Sequence, residues 1–110
     1  MKRLIGLMLV TLSTIAISAD SEFEACRNKL VAAQKLDVLH DLQWTGKKPP
    51  RVVAGRTFFT IPIDAKEGFA ETVNCFLMAG DRDKFVNFDI LDWRTGKPVG
   101  SFTYGKYKHH

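Results

Sequence analysis

The stretch Asp64–Gly80, DAKEGFAETVNCFLMAG, decides how the rest of the chain folds. It reads as one complete helix with both ends marked. Asp64 can cap the amides of the first turn, and Glu67, three residues on, can reach back to the cap. Gly80 can take the left-handed conformation that closes a helix. Between these ends Ala65, Phe69, Val73 and Phe76, with Leu77 at the edge, recur at helical spacing and form one apolar side. On its flank Gly68, Thr72, Cys75 and Ala79 form a stripe of small side chains, which lets another helix lie close. The stripe holds one of two cysteines, so the neighbour is expected to carry the other, Cys26. Bonded cysteines need Cα atoms within roughly 7 Å.

Working outward, the neighbour is found upstream. Ser21-Glu22-Phe23-Glu24 has the Ser-x-x-Glu form of a capping box. The helix it opens runs to about Leu36, with Phe23, Cys26, Leu30 and Ala33 on one side. Asp37 can end it, because Asp tolerates the left-handed region better than most residues. From Leu36 to Trp44 apolar and polar residues alternate, which predicts a strand over about Val38–Trp44. A continued helix is the rival, since Leu36, Leu39 and Leu42 also fit helical spacing. Thr45–Pro50 reads as a turn. Arg51–Ile63 is rich in β-formers and predicts two short strands or one bent strand, with a turn or bulge at Gly55-Arg56.

Beyond Gly80, Asp81-Arg82-Asp83 is a polar turn; the later ligands of a calcium loop are missing. Lys84–Trp93 alternates, with Val86, Phe88 and Ile90 facing one way. Arg94-Thr95-Gly96-Lys97 makes a hairpin connection, and Pro98–Tyr104 returns as its partner, with Phe102 and Tyr104 towards the core. Asn87, Asp89, Ser101 and Thr103 fall on the other face. The tail from about Gly105 reads as loose. The expected fold is α+β: two helices on one face of a four- to five-stranded, mostly antiparallel sheet, in the order α-β-β-(β)-α-β-β, with one disulfide between the helices.

The first nineteen residues read as a secretory signal. Lys2 and Arg3 form the basic start, Leu4–Leu12 the apolar run, and small residues lead to Ser18-Ala19. Residues 20–110 are then a single domain in the periplasm or outside the cell, with no stable membrane insertion. In an oxidising compartment the pair Cys26–Cys75 forms a disulfide. The whole chain carries 16 basic and 12 acidic residues, a net charge of +4. Loss of Lys2 and Arg3 with the signal lowers this further. So small a charge argues against nucleic acid as a partner. Lys47-Lys48-Pro49-Pro50-Arg51 reads as a solvated loop.

No catalytic constellation is legible. Ser21 is a cap and Ser101 sits mid-strand; the cysteines are consumed by their bond. His40 beside Asp41 could serve as a general base, but adjacent strand residues point to opposite faces. His109 and His110 end the chain without a frame to hold a metal. No cofactor motif and no phosphate-binding glycine loop occurs. What remains is surface: Trp44 and Trp93 fall near strand ends, and Trp93 is followed by Arg94 and Lys97. Trp44, Trp93, Arg94 and Lys97 are therefore the candidate interaction patch, since Trp and Arg are common binding anchors. The plainer alternative is ordinary core packing.

Phe58-Phe59-Thr60-Ile61-Pro62, Lys66, the Cys75 helix and Asp92-Trp93-Arg94-Thr95-Gly96-Lys97 together resemble short exported proteins of Gram-negative proteobacteria. That resemblance implies export and no activity or site residue. The expected function is a non-catalytic exported domain that binds another protein, such as an immunity protein or enzyme inhibitor. The alternatives are a small hydrolase using His40 with an acid from another strand, or a cell-wall glycan binder stacking sugars on Trp44 and Trp93.

Overall fold

A computed structural model describes residues 14–110, with side chains described from Ser21 onward. The expected signal, 1–19, lies outside the residues whose side chains are described. The elements are α1 (Thr14–Lys35), β1 (Leu39–Gln43), β2 (Arg51–Ala54), a 3-10 turn (Arg56–Thr60), α2 (Ile63–Leu77), β3 (Phe88–Asp92), β4 (Pro98–Thr103) and β5 (Lys106–His109). The five strands lie in sequence order. β1/β2, β3/β4 and β4/β5 are antiparallel, while β2/β3 are parallel. A parallel pair needs a long crossover, and the 3-10 turn with α2 supplies it. The α+β expectation holds, with a mixed sheet.

Alternation puts Val52, Ala54, Phe88, Ile90 and Phe102 on one face of this sheet, all buried. Leu30 of α1 and Phe69, Ala70 and Val73 of α2 join the same cluster, so both helices cover that face. Ala65, expected on the apolar side of α2, is exposed instead. α1 and α2 are tied by the disulfide Cys26–Cys75, whose Cα atoms lie 6.1 Å apart. Phe23 stacks on Phe76 beside it, at 5.4 Å between ring centres.

The two helix ends close by the same device. In α1 the Val38 amide donates to the Ala33 carbonyl and the Asp37 amide to that of Gln34. Asp37 takes φ 63° between them. This is a Schellman closure with Asp in the left-handed place. In α2 the Gly80 amide donates to Cys75 and the Ala79 amide to Phe76. Ala79, at φ 55°, holds the left-handed place and Gly80, at φ 85°, follows it. Gly80 therefore does not close the helix alone; its neighbour adopts the costly conformation first.

The helix starts differ from expectation. α1 is already helical at Ser21, so upstream carbonyls serve the amides a Ser21 cap would have served. α2 begins one residue before Asp64, with Pro62 at the cap and no side-chain cap bond. The Pro62 carbonyl takes the Lys66 amide. Asp64 sits inside the first turn, where its charge favours the positive end of the helix dipole.

Only Arg51–Ala54 of the expected β-rich stretch is a strand. The chain then turns into the 3-10 segment because Asp37 intercepts it. The Asp37 carbonyl accepts the Thr57 amide at 2.8 Å, and its carboxylate accepts the Arg56 amide at 3.3 Å. Phe58 is thereby driven into the core, fully buried. The strand expected from Lys84 begins only at Phe88, because Asn74 holds the preceding loop. Its buried amide accepts from Val86 at 2.9 Å and donates to the Lys84 carbonyl at 3.0 Å.

The tail is not loose. Tyr104 (φ 49°) and Gly105 (φ 81°) form a two-residue hairpin turn between Thr103 and its partner Lys106. Positive φ at both central residues is the turn whose twist matches paired strands. Tyr104 is consequently 84% exposed at the tip rather than in the core. The returning strand packs Tyr107 flat on Gly100: a Cβ there would lie 2.7 Å from the ring.

Candidate functional site

The four patch residues do not come together. Trp44 follows Gln43, which pairs with Arg51, while Arg51 pairs with Asp89 at the start of β3. Trp93 follows Asp92 at the other end of that strand. Trp44 and Trp93 thus stand at opposite ends of the sheet. Trp44 donates its indole N–H to the Lys48 carbonyl at 2.9 Å and holds the basic loop closed.

Trp93, Arg94 and Lys97 stay together and acquire two neighbours that sequence reasoning missed. Phe59 of the 3-10 turn lies 5.7 Å from Trp93, ring centre to ring centre. The Arg56 guanidinium carbon is 5.9 Å from the Trp93 ring centre and that of Arg94 is 4.8 Å from it. Arg94 also lies 6.0 Å from the Phe59 ring. Two cations on one indole are each attracted to the negative ring face. Phe59 remains 37% exposed and Trp93 half-buried.

The turn that carries Arg94 is fixed from beneath. The buried Asp92 accepts the Arg94 amide at 2.8 Å and touches its guanidinium at 3.4 Å. The Asp92 backbone closes the turn with Gly96 and Lys97, both at 2.8 Å. The Arg94 amide, then its guanidinium and the Thr95 amide hold the Asp92 carboxyl below its ordinary value of 3.8, against burial. Arg94 is thus held by Asp92 on one side and Trp93 on the other, while its side chain stays 63% exposed.

The other candidates are not assembled. His40 is exposed on edge strand β1 and makes no hydrogen bond or ion pair with a described carboxylate. His110 reaches Ser101 at 3.3 Å, and Ser101 lies opposite Asp89. The order across the strands is Asp, Ser, His, so the acid does not orient the base, as a relay requires. Glu22, Cys26 and Cys75 come within 4.8 Å as formal metal ligands. The two sulfurs are bonded to each other, and Glu22 pairs with Arg82.

A groove of about 480 Å³ lies over the disulfide, between both helices and the β4–β5 hairpin. Gly68, Thr72 and Cys75 line it, so the small-residue stripe faces this groove, and Cys75 of the stripe is bonded to α1. A Cβ on Gly68 would touch nothing within 4 Å. The Thr72 hydroxyl donates to the Gly68 carbonyl; Glu22, Arg82 and Asn74 are engaged within the protein, while Lys29 and Glu71 also line the groove.

Among the described residues no helix is long and apolar enough to cross a membrane. The chain matches no protein-family model, no curated protein and no solved structure.

Proposed function

We propose that this is an exported, non-catalytic domain that binds another protein through the surface around Trp93. The carrying observation is the half-buried indole of Trp93 gripped by Arg56, Arg94 and Phe59. Trp and Arg dominate binding hot spots, and they are most effective where their conformations are fixed beforehand. Here Asp92 and the 3-10 turn do the fixing. Export is supported by the basic-apolar-small start of the sequence and by the disulfide, which forms in oxidising compartments. Sugar stacking on Trp93 is disfavoured, because guanidiniums and Phe59 crowd the indole that a sugar ring would need.

The test is affinity capture from envelope extract with wild type, Trp93→Ser and Trp44→Ser, each first shown to keep its thermal transition. A stoichiometric protein retained by wild type and Trp44→Ser but lost with Trp93→Ser supports the reading. Equal retention by all three defeats it.

A further inference from the structure

The groups around Trp93 also specify the partner's chemistry. A guanidinium stacked on an indole keeps its N–H edge free, and that edge matches a carboxylate in two-bond geometry. Arg94 donates only one long side-chain bond, to Asp92. Arg56 has no ion pair among the described residues; Asp37 meets its backbone amide, not its side chain. Lys97 stands exposed at the end of the same turn. Of the carboxylates near the patch, Asp92 is buried and paired with Arg94, and Asp37 accepts the Arg56 amide. Arg56, Arg94 and Lys97 outnumber these two acids, so the surface carries net positive charge around the exposed apolar ring of Phe59.

Resting on the protein-binding reading above, we infer that the surface takes an acidic protein segment whose carboxylates pair with Arg56 and Arg94. Complementary charge of this kind speeds encounter and rejects wrong partners more than it adds affinity. The contact is accordingly salt-sensitive and confined to this end of the sheet.

The probe is hexaglutamate, added to the full isotope-labelled chain and followed by NMR at the backbone amide, Arg side-chain N–H and Trp indole signals. The expected result is movement of Arg56, Arg94 and Trp93 signals, with Lys47 and Lys48 unmoved. Raising ionic strength from about 0.01 to about 0.1 M, which shortens the Debye length from about 30 to about 10 Å, weakens it. Arg56→Glu carries the test, since its side chain gives up no hydrogen bond or ion pair among the described residues and only its contact with the Trp93 ring, and it weakens binding roughly fivefold or more. Arg94→Gln repeats it without placing a second acid beside Asp92. Lys47→Glu with Lys48→Glu leaves the affinity unchanged.

Equal shifts at Lys47 and Lys48 would show indiscriminate attraction and overturn the inference. So would tighter binding at Arg56 and Arg94 of a sulfated hexasaccharide, which would assign the surface to anionic glycan. No shift at all overturns it too. If Trp93→Ser still abolishes capture of a protein partner in that case, the protein-binding reading survives with a partner that is not acidic.

Discussion

Gly55 is expected to be irreplaceable for a reason that its own backbone conceals. Its φ of −90° is open to any residue. Yet a Cβ on it would lie 2.9 Å from the Asp37 carbonyl carbon and nearer still to the carbonyl oxygen. The obstacle is the Asp37 carboxylate together with the Asp37 backbone, which is pinned by the closure of α1 and by the Thr57 amide at 2.8 Å. Gly55→Ala must push the carbonyl away. Overpacking of this kind costs about 1–3 kcal/mol, and a lost Thr57–Asp37 bond adds about 1 kcal/mol. A loss of about 2–4 kcal/mol is a large share of the ~5–15 kcal/mol typical of a domain. Gly68→Ala is the internal control. It also replaces a helix-compatible glycine by alanine, but in open space, and is expected to stabilise by about 0.4–1 kcal/mol. Urea unfolding followed by Trp fluorescence measures both; at an unchanged slope of about 2 kcal/mol/M, Gly55→Ala lowers the midpoint by about 1–2 M. A Gly55→Ala midpoint within error of wild type would refute the reasoning.

Ala79→Gly relieves a left-handed alanine at the end of α2. The strain of about 1–2 kcal/mol outweighs the entropy cost of glycine, so a net gain of about 0.5–1 kcal/mol is expected in the same urea assay. Cys26→Ala with Cys75→Ala opens a link between residues 49 apart, and chain entropy then predicts a loss of up to ~4 kcal/mol, seen as a lower thermal midpoint in the double variant. Burial first, and the charge of Glu67 second, raise the Tyr107 phenol above its ordinary value of 10.0. The folded state thus holds this proton more tightly than the unfolded chain. Its stabilising contribution is complete below pH 10 and is lost as pH rises through the higher folded value. Tyrosinate absorbance in a Tyr104→Phe background reports Tyr107 alone, and it should titrate above that ordinary value.

Both helices, the turn at Asp37, the hairpin at Gly96 and the disulfide were legible from periodicity and residue type, because each is decided by neighbours close in sequence. Asp64 misled because a cap depends on where the preceding carbonyl lies, and Pro62 offered one earlier. The β-forming run at Phe58-Phe59-Thr60 misled because Asp37, distant in sequence, captures the Arg56 and Thr57 amides. Tyr104-Gly105 carries a hairpin signal of its own, two residues ending in Gly between alternating segments, which the polar returning strand masks. Of the candidate surface, the nearness of Trp93, Arg94 and Lys97 was legible from their spacing, and the separation of Trp44 from them was not. Arg56 and Phe59 were not legible, because only the 3-10 turn brings them to Trp93.

The surface around Trp93 is tested most directly by a photo-crosslinking phenylalanine analogue placed at Phe59 or at Phe85, in cells that make the native chain. Both side chains are exposed, 37% and 54% respectively. Phe59 lies beside Trp93 at the end of β3, and Phe85 lies before its start, at the rim of the groove over the disulfide. A single discrete protein adduct from position 59, and none from position 85, is the result expected. An adduct from position 85 with none from position 59 would contradict it and move the binding surface to the groove.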